Sequence, residues 1–166
     1  MSHSTLLNPD HALIRDFLAD DGTPRPFDAN PLARGLGAQL LAADAREGSV
    51  TLGFTPGPQF LQGNGCVQGG IVAAMLDFAL ALAVLTRLAP GQSHSTASFS
   101  VNLLRPTRMV RCIAQGRIRR LGSRLAFADA SLVLGDTEEL VATATGVMSL
   151  RRQGTQAGSS GQPTLI

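Results

Sequence analysis

A glycine-rich turn leads directly into a long apolar segment, and this pairing is the strongest chemical signal in the sequence. The stretch LQGNGCVQGGIVAAMLD places Gly69 and Gly70 where the apolar segment begins. The first N–H groups of a helix have no partner within it, and the helix dipole makes that end electropositive. Glycines there let a ligand oxygen approach closely, as in an oxyanion hole, although a phosphate or a carboxylate would also fit. The structural alternative is that they only form the turn.

Asp77 is the second candidate, because it is the only ionisable residue between Gly69 and Thr86. A carboxylate in such a segment is typically paired, metal-bound or catalytic; the alternative is a structural Asp held by strand amides. Asp77 lies about 12 Å beyond Gly69 along a helix. A base or nucleophile and its oxyanion donors must all lie about 3 Å from the reacting group. A second, antiparallel helix across a two-fold axis would bring them together, which predicts a site shared in a dimer.

Other reactive groups are weaker candidates. His94 lies between two serines whose side chains point to the opposite face of an extended segment, so we interpret it as a loop histidine before a strand. Cys66 has no evident base and is interpreted as a small buried residue. The sequence GSSG at 158–161 lacks the spacing and context of a serine elbow. The histidines and cysteines show no metal-ligand spacing, so we predict no metal site.

The apolar segment from Gly69 to Gly91 is predicted to be a helix, because it is too long for a strand and rich in Ala and Leu. It is apolar on every side, which is typical of a membrane span or of a helix enclosed by other structure. Asp77 argues against the bilayer, where a carboxylate costs about 2.5 to 3.5 kcal/mol. We therefore expect a buried helix and no membrane partner, and the first eleven residues show no secretory signal.

The rest of 38–150 is predicted to form strands. Val50, Leu52 and Phe54 alternate with small or polar residues, as do Phe99, Val101 and Leu103, which predicts two half-buried strands. Further strands are predicted at 110–120, 125–134 and 140–150. The short turns between them favour an antiparallel meander.

The two ends of the chain differ from this region. Asn8-Pro9 and Asn30-Pro31 each place a capping side chain before a proline, which predicts two helix starts. The last residues are polar and rich in Gly and Ser. We therefore divide the chain into an N-terminal helix and loop (1–30), a main domain (31–150) and a flexible tail (151–166).

Composition excludes several classes of protein. The chain has 166 residues, of which 44% are hydrophobic and 16% charged, so one domain with a sizeable core is expected rather than a disordered chain. A net charge of +2 and 4% aromatic residues do not favour nucleic-acid binding. Two cysteines are too few for a disulfide framework and fit the reducing cytoplasm.

Taken together, these features resemble the hotdog-fold acyl-CoA thioesterases of the phenylacetate-degradation (PaaI-like) type. Members carry an Asn, then G-x-x-H-G-G, before a long helix whose acidic residue falls nine positions after the His. Here Gly65–Gly70 reads G-C-V-Q-G-G, and Asp77 lies nine positions after Gln68. The segments TASFSVNLLRP (96–106), LGSRLAFADASL and LVATATGVMSL are similar to later strands of the family. The resemblance spans residues 31–150.

The resemblance implies an α+β hotdog fold, in which an antiparallel β-sheet wraps around a long central helix. It implies assembly as a homodimer, or as a homotetramer built from two dimers, with sites at the dimer interface. The implied reaction is hydrolysis of a medium-chain or aromatic acyl-CoA to the free acid and CoA, with no cofactor.

In that reaction the Gly69 N–H would polarise the thioester carbonyl, and Asp77 of the partner chain would act as general base or as nucleophile. Thr96, at the family's Thr/Ser position, would orient Asp77 or the water. Gln68 stands where His is usual, and Gln62 stands where the Asn falls. Both would hold the thioester or the leaving group.

The substrate-binding candidates surround this core. Asn64 can substitute for the family's Asn, and Gly70 lies beside the oxyanion donor. Phe78 would line an acyl pocket, with core packing as its alternative role. Arg119 and Arg124 would meet the phosphates of CoA, with a solvated surface position as the alternative.

Two other functions stay open. A non-catalytic protein that binds acyl-CoA or another small ligand is motivated by Gln68 in place of His, while Asp77 argues against it. A hydratase acting on enoyl thioesters is weaker, because the sequence does not reveal the Asp/His pairing that this chemistry resembles.

Overall fold

Seven strands and three α-helices form the computed structural model, which describes residues 8–20 and 22–152. The helices are α1 (Pro9–Ala19), α2 (Pro31–Gly35) and α3 (Gly69–Leu85), and Pro58–Phe60 forms one 3₁₀ turn. The strands are β1 (Arg25–Pro26), β2 (Gln39–Asp44), β3 (Ser49–Phe54), β4 (Gln92–Leu103), β5 (Cys112–Leu121), β6 (Leu125–Leu134) and β7 (Leu140–Arg152). They make one antiparallel sheet in the order β1-β2-β3-β5-β6-β7-β4.

Helix α3 packs across one face of this sheet and touches it with its backbone. A Cβ atom placed on Gly116 of β5 would lie 2.0 Å from the carbonyl oxygen of Ala79, so no larger residue fits without moving the helix. A Cβ atom on Gly146 of β7 would lie 2.9 Å from Leu80 Cδ1. The sheet residues beneath the helix are therefore small, and Ala128 and Ala144 are buried there as well. This close packing confirms the predicted antiparallel sheet over a buried helix.

The N-terminal segment caps one side of this core. As predicted, the side chain of Asn8 accepts a hydrogen bond from the N–H of Asp10, and Asn30 accepts from those of Leu32 and Ala33. The apolar face of α1 is buried, with Ile14 and Phe17 in the hydrophobic core. The segment therefore packs against the main domain through its own apolar side chains.

The edge strand β4 departs from the sequence-based expectation. Its alternation predicts a half-buried strand, yet Phe99 and Leu103 are 40% and 54% exposed. The reason is its position, because β4 pairs only with β7 and its other edge has no strand among the described residues. A bulge between Thr96 and Ser98 changes the register along it.

Other boundaries also differ from the predictions. Helix α3 ends at Leu85 rather than near Gly91, because the chain turns there toward β4. The predicted antiparallel meander is wrong in one respect, because β4 pairs with β7 rather than with β3 or β5, the strands next to it in sequence. The predicted tail lies outside the described residues except for 151–152, which continue β7. Within the described residues, no helix is both long and apolar enough to cross a membrane.

Replacing Gly116 with alanine tests the contact between helix and sheet. The added methyl would collide with the Ala79 carbonyl, so the free energy of unfolding should fall by about 3 kcal/mol or more. For a domain of this size that lowers the melting temperature by about 10 °C. Gly35→Ala is the matched control, because its Cβ would make an ordinary contact 3.7 Å from Phe60. Equal melting temperatures for the two variants in thermal denaturation would contradict the close approach.

Candidate active site

Asp77 and Thr96 are brought together by the packing of α3 against β4. Asp77 is the ninth residue of α3, and Thr96 lies in β4 with its backbone opposite Met148 of β7. The Thr96 hydroxyl donates a hydrogen bond of 2.9 Å to Asp77 Oδ1. Both side chains are half-buried. The hydrogen bond leaves Oδ2 and the remaining lone pairs of the carboxylate available to a reactant.

The first turn of α3 carries uncapped N–H groups, as the glycine motif predicts. Gln68 is the N-cap residue, and its side chain makes no capping hydrogen bond to the helix. Its carbonyl accepts from the N–H groups of Ile71 and Val72, which leaves those of Gly69 and Gly70 directed outward. The side chain of Gln68 is exposed and so is Gly70. This end of the helix can therefore bind a developing negative charge.

A tight loop before α3 positions two of the predicted polar residues. The N–H of Gln62 donates to Cys66, and the N–H of Gly65 donates back to Gln62. Gly65 has a φ of 81°, which glycine adopts without strain. The side chain of Asn64 accepts a hydrogen bond of 3.1 Å from the N–H of Cys66 and so shapes the loop. A hydrogen bond from the N–H of Val67 to Thr107 ties the loop to the segment after β4.

The loop and the start of α3 form one wall of a cleft of about 420 Å³. The predicted residues Gln62, Asn64 and Gly69 all line it. Its opposite wall consists of residues that sequence reasoning did not single out as part of the site, namely Leu103, Leu104, Arg105, Pro106 and Thr107. The signal that could have found them is their position at the end of the strand pattern TASFSVNLLRP.

Two of these wall residues have defined contacts. A Cβ atom on Gly69 would lie 2.7 Å from Leu103 Cδ1, so Leu103 lies against the first turn of α3. Arg105 forms an exposed ion pair of 2.5 Å with Glu139. The cleft thus combines an apolar wall with a basic group at its rim.

The predicted catalytic residues therefore fall into two separate groups on one chain. Gly69, Gln62 and Asn64 belong to the cleft, whereas Asp77 and Thr96 lie two helical turns away. Helix α3 is continuous between Gly69 and Asp77, so the separation of about 12 Å along its axis stands. One chain alone does not place the carboxylate beside the uncapped amides.

The other substrate-binding candidates lie elsewhere. Phe78 is half-buried and packs against Phe27 and Phe54, with ring centroids 5.4 and 6.3 Å away. Arg119 pairs with Asp129 at 2.5 Å on the sheet face opposite α3, and Arg124 is exposed in the turn before β6. None of the three lines the cleft at the start of α3.

His94 lies nearer to the candidate site than the sequence suggests. It is not a loop residue but belongs to β4, two positions before Thr96. Burial lowers its pKa, and the backbone of Ala81 and the carboxylate of Asp77 oppose that shift. Alternate residues of a strand share a face, so His94 and Thr96 would have been paired from the sequence if β4 had been known to begin before His94.

Comparison with known proteins identifies the class. The profile of the Thioesterase superfamily matches residues 64–141, which include the cleft loop, α3, β4 and the strands that follow. A phenylacetic acid degradation-related protein of Ralstonia eutropha JMP134 is 30% identical, with a TM-score of 0.72 over 86% of this chain and 99% of that one. No match is found among curated protein sequences.

Two PaaI proteins of the phenylacetic acid degradation system have similar structures. A variant of PaaI from Thermus thermophilus is 26% identical, with a TM-score of 0.64 over 72% of this chain and 98% of that one. The E. coli PaaI protein is 21% identical and shares the fold, with a TM-score of 0.69 over 89% and 96% of the two chains.

The chain belongs to the thioesterase superfamily. Its fold is the α+β hotdog fold of the PaaI-like type, and the sequence-based resemblance is confirmed. The protein is a thioester hydrolase.

Substitution of Thr96 tests whether its hydrogen bond prepares Asp77 for catalysis. A hydrogen bond to a charged group contributes about 1.5 to 3 kcal/mol, so Thr96→Val should lower kcat for thioester hydrolysis by about tenfold to a hundredfold. Thr96→Ser keeps the hydroxyl and should stay within about threefold of the parent. Steady-state kinetics decide, and a loss in Thr96→Ser as large as or larger than that in Thr96→Val would contradict a dominant role of the hydroxyl.

Proposed function

We propose that this protein hydrolyses acyl-CoA thioesters to a carboxylic acid and free CoA. The observation that carries the proposal is the carboxylate of Asp77, which accepts a hydrogen bond from Thr96. Asp77 lies on the same helix whose glycine-rich first turn is uncapped. An anionic group and a set of oxyanion donors are the two elements that hydrolysis of a thioester requires. The match to the thioesterase superfamily supports the same chemistry.

The proposed reaction uses the uncapped amides as electrophilic donors. The N–H of Gly69 donates a hydrogen bond to the thioester carbonyl oxygen and stabilises the negative charge that develops there. Asp77 either takes a proton from the attacking water or attacks the carbonyl carbon itself. The C–S bond then breaks, and the CoA thiolate leaves and takes up a proton. In the nucleophilic route the acyl group is left on Asp77 as a mixed anhydride, which water hydrolyses to the carboxylic acid and the restored carboxylate. Gln62 and Gln68 orient the thioester or its leaving group.

A second copy of the chain completes the site in this proposal. Along β4, Thr96 contacts Asp77 at one end and Leu103 contacts the first turn of α3 at the other. Antiparallel pairing of two β4 edges about a two-fold axis near Ser100 sets Thr96 of one copy opposite Leu103 and Leu104 of the other. The carboxylate of one chain thereby approaches Gly69 of its partner. The free edge and the exposed side chain of Phe99 favour this homodimer.

The cleft indicates where the substrate lies. Its apolar wall of Leu103 and Leu104 suits the acyl group, and we propose a medium-chain or aromatic acyl-CoA. Asn64 and Arg105 at the rim suit the polar part of CoA, and Gly70 lies beside the oxyanion donor. Contacts of Phe78 with the acyl group, and of Arg119 and Arg124 with the CoA phosphates, stay predictions.

Assembly and compartment complete the proposal. Two homodimers packed together form a homotetramer, and the 31–150 region carries the whole catalytic unit. Cys66 and Cys112 are both free thiols, which is consistent with a reducing compartment, and we propose the cytoplasm.

Release of free thiol from a panel of aliphatic and aromatic acyl-CoAs tests the function. The parent should turn over at least one of them, and Asp77→Asn should reduce kcat by at least about a hundredfold, because the amide neither accepts a proton nor attacks as an anion. The variant keeps nearly the same shape, so its melting curve should match that of the parent.

Two outcomes would contradict the proposal. Tight binding of acyl-CoA without thiol release would favour a non-catalytic binding protein. Parental turnover by Asp77→Asn would show that the carboxylate is structural. Following enoyl hydration in the same panel separates a hydratase from a thioesterase.

Subunit mixing tests the shared site. Asp77→Ala removes the carboxylate, and Gly69→Val blocks the first turn of α3, where the added Cβ meets the flexible tip of Leu103. Each variant alone should be inactive. When the two are denatured together and refolded, random pairing gives about half mixed dimers, each with one intact site, so activity should return to about a quarter of the parental value.

The control is a mixture of each variant with itself, treated identically, which should stay inactive. A mixed sample that remains inactive despite proven subunit exchange would show that both groups act within one chain.

A further inference from the structure

His94 lies beside the Thr96–Asp77 pair, and its position along α3 follows from the way β4 packs on that helix. The two elements run antiparallel, because Leu103 lies against Gly69 and Thr96 against Asp77. His94 and Thr96 are two residues apart in β4, so their side chains share the face toward α3. Two strand residues span about 6.7 Å, and one turn from Asp77 to Ala81 spans about 6 Å. His94 therefore lies against the helix one turn beyond Asp77.

The ring of His94 is poorly suited to a purely structural role. Its Nδ1 atom is buried and has no hydrogen-bond partner among residues 8–20 and 22–152. A buried polar atom without a partner is costly and uncommon in native structures. An apolar side chain of similar size would fill the same space without that cost.

The ring of His94 has neighbours from α3, α1 and β7, and the titratable ones are a carboxylate and a second imidazole. Asp77 acts on it from α3 and His11 acts on it from α1, while the residue opposite in β7 is Leu150. Burial has the largest effect on the pKa of His94 and lowers it; the backbone of Ala81 and the carboxylate of Asp77 raise it, and His11 lowers it slightly. The ring is consequently neutral at pH 7, and protonation at lower pH would place a cation beside the carboxylate.

We propose that His94 is a positioning residue whose neutral ring keeps Asp77 on Thr96 and ready to react. The ring lies on the side of Asp77 that faces the end of α3, one helical turn along the helix. Once protonated, the imidazolium attracts the carboxylate and makes it a weaker base and nucleophile. This inference rests on the proposed function and adds to it a pH-dependent residue in the same site.

The pH dependence of kcat for the parent, His94→Asn and His94→Leu tests the proposal. His94→Leu should lower kcat by about tenfold at pH 7, less than loss of Asp77 itself, while KM stays within about twofold. His94→Asn keeps a polar atom near the Nδ1 position and should lose less. In both variants the acid limb of kcat should move to lower pH, because the titrating ring is gone. Ser95→Ala, exposed on the opposite face of β4, is the control and should match the parent.

A titration that does not need turnover separates this inference from the proposed function. The chain has three histidines, so the ring signal of His94 can be assigned by its loss in His94→Asn. In Asp77→Asn the titration of His94 should move to lower pH, because the carboxylate that favours its protonated form is absent.

An unchanged titration in Asp77→Asn would overturn the proposal, even if the parent releases no thiol. In an active parent, acid limbs that coincide for all variants, with only the melting temperature lowered, would also overturn it and make His94 a packing residue. Absence of thiol release in the parent, with a shifted His94 titration, would overturn the proposed function and leave the coupling between His94 and Asp77 established.

Discussion

The close contact between the backbone of α3 and the sheet at Gly116 is the constraint on which the site depends. Because a Cβ atom there would lie 2.0 Å from the carbonyl oxygen of Ala79, the helix backbone rests directly on β5 at this point, with no side chain between them. This close approach of the helix to the sheet lets the short side chain of Thr96 reach Asp77, with a hydrogen bond of 2.9 Å. A helix held further away would break this hydrogen bond to the carboxylate, and the geometry of the site would be lost.

The length of α3 imposes the second constraint. Its first turn presents uncapped amides, and its middle presents Asp77, but about 12 Å separates them along a rigid helix. The edge strand β4 runs along the same distance, because Thr96 near one end contacts Asp77 and Leu103 at the other end contacts the first turn of α3. In the proposed homodimer a two-fold partner would resolve the mismatch with the same strand, because antiparallel pairing reverses the order of the ends. The exposed apolar side chains of β4, which look unfavourable on a single chain, fit this arrangement.

Charge is distributed so that Asp77 lies apart from the ion pairs of the described residues. Arg105–Glu139, Arg117–Glu47 and Arg119–Asp129 are all on exposed surface, where such pairs contribute little to stability. Near Asp77 the structure places a hydroxyl from Thr96 and the imidazole of His94, whose pKa is lowered by burial. A cation fixed beside the carboxylate would make it a weaker base, so neutral neighbours suit a reactive group.

The sequence by itself determined the elements and the type of site. Local signals are sufficient for helix starts at Asn8 and Asn30, for the long apolar helix and for the strands of 110–150, because caps, turns and periodicity depend on neighbours in the chain. The motif around Gly69 and the lone carboxylate of Asp77 likewise identified the thioesterase family. Only the tertiary structure decided that β4 is an exposed edge beside β7, that His94 belongs to it, and that Arg105 and Leu103 wall the cleft. These are long-range facts: strand order and the depth of helix packing depend on which residues, far apart in sequence, bury each other best, and no local pattern records that.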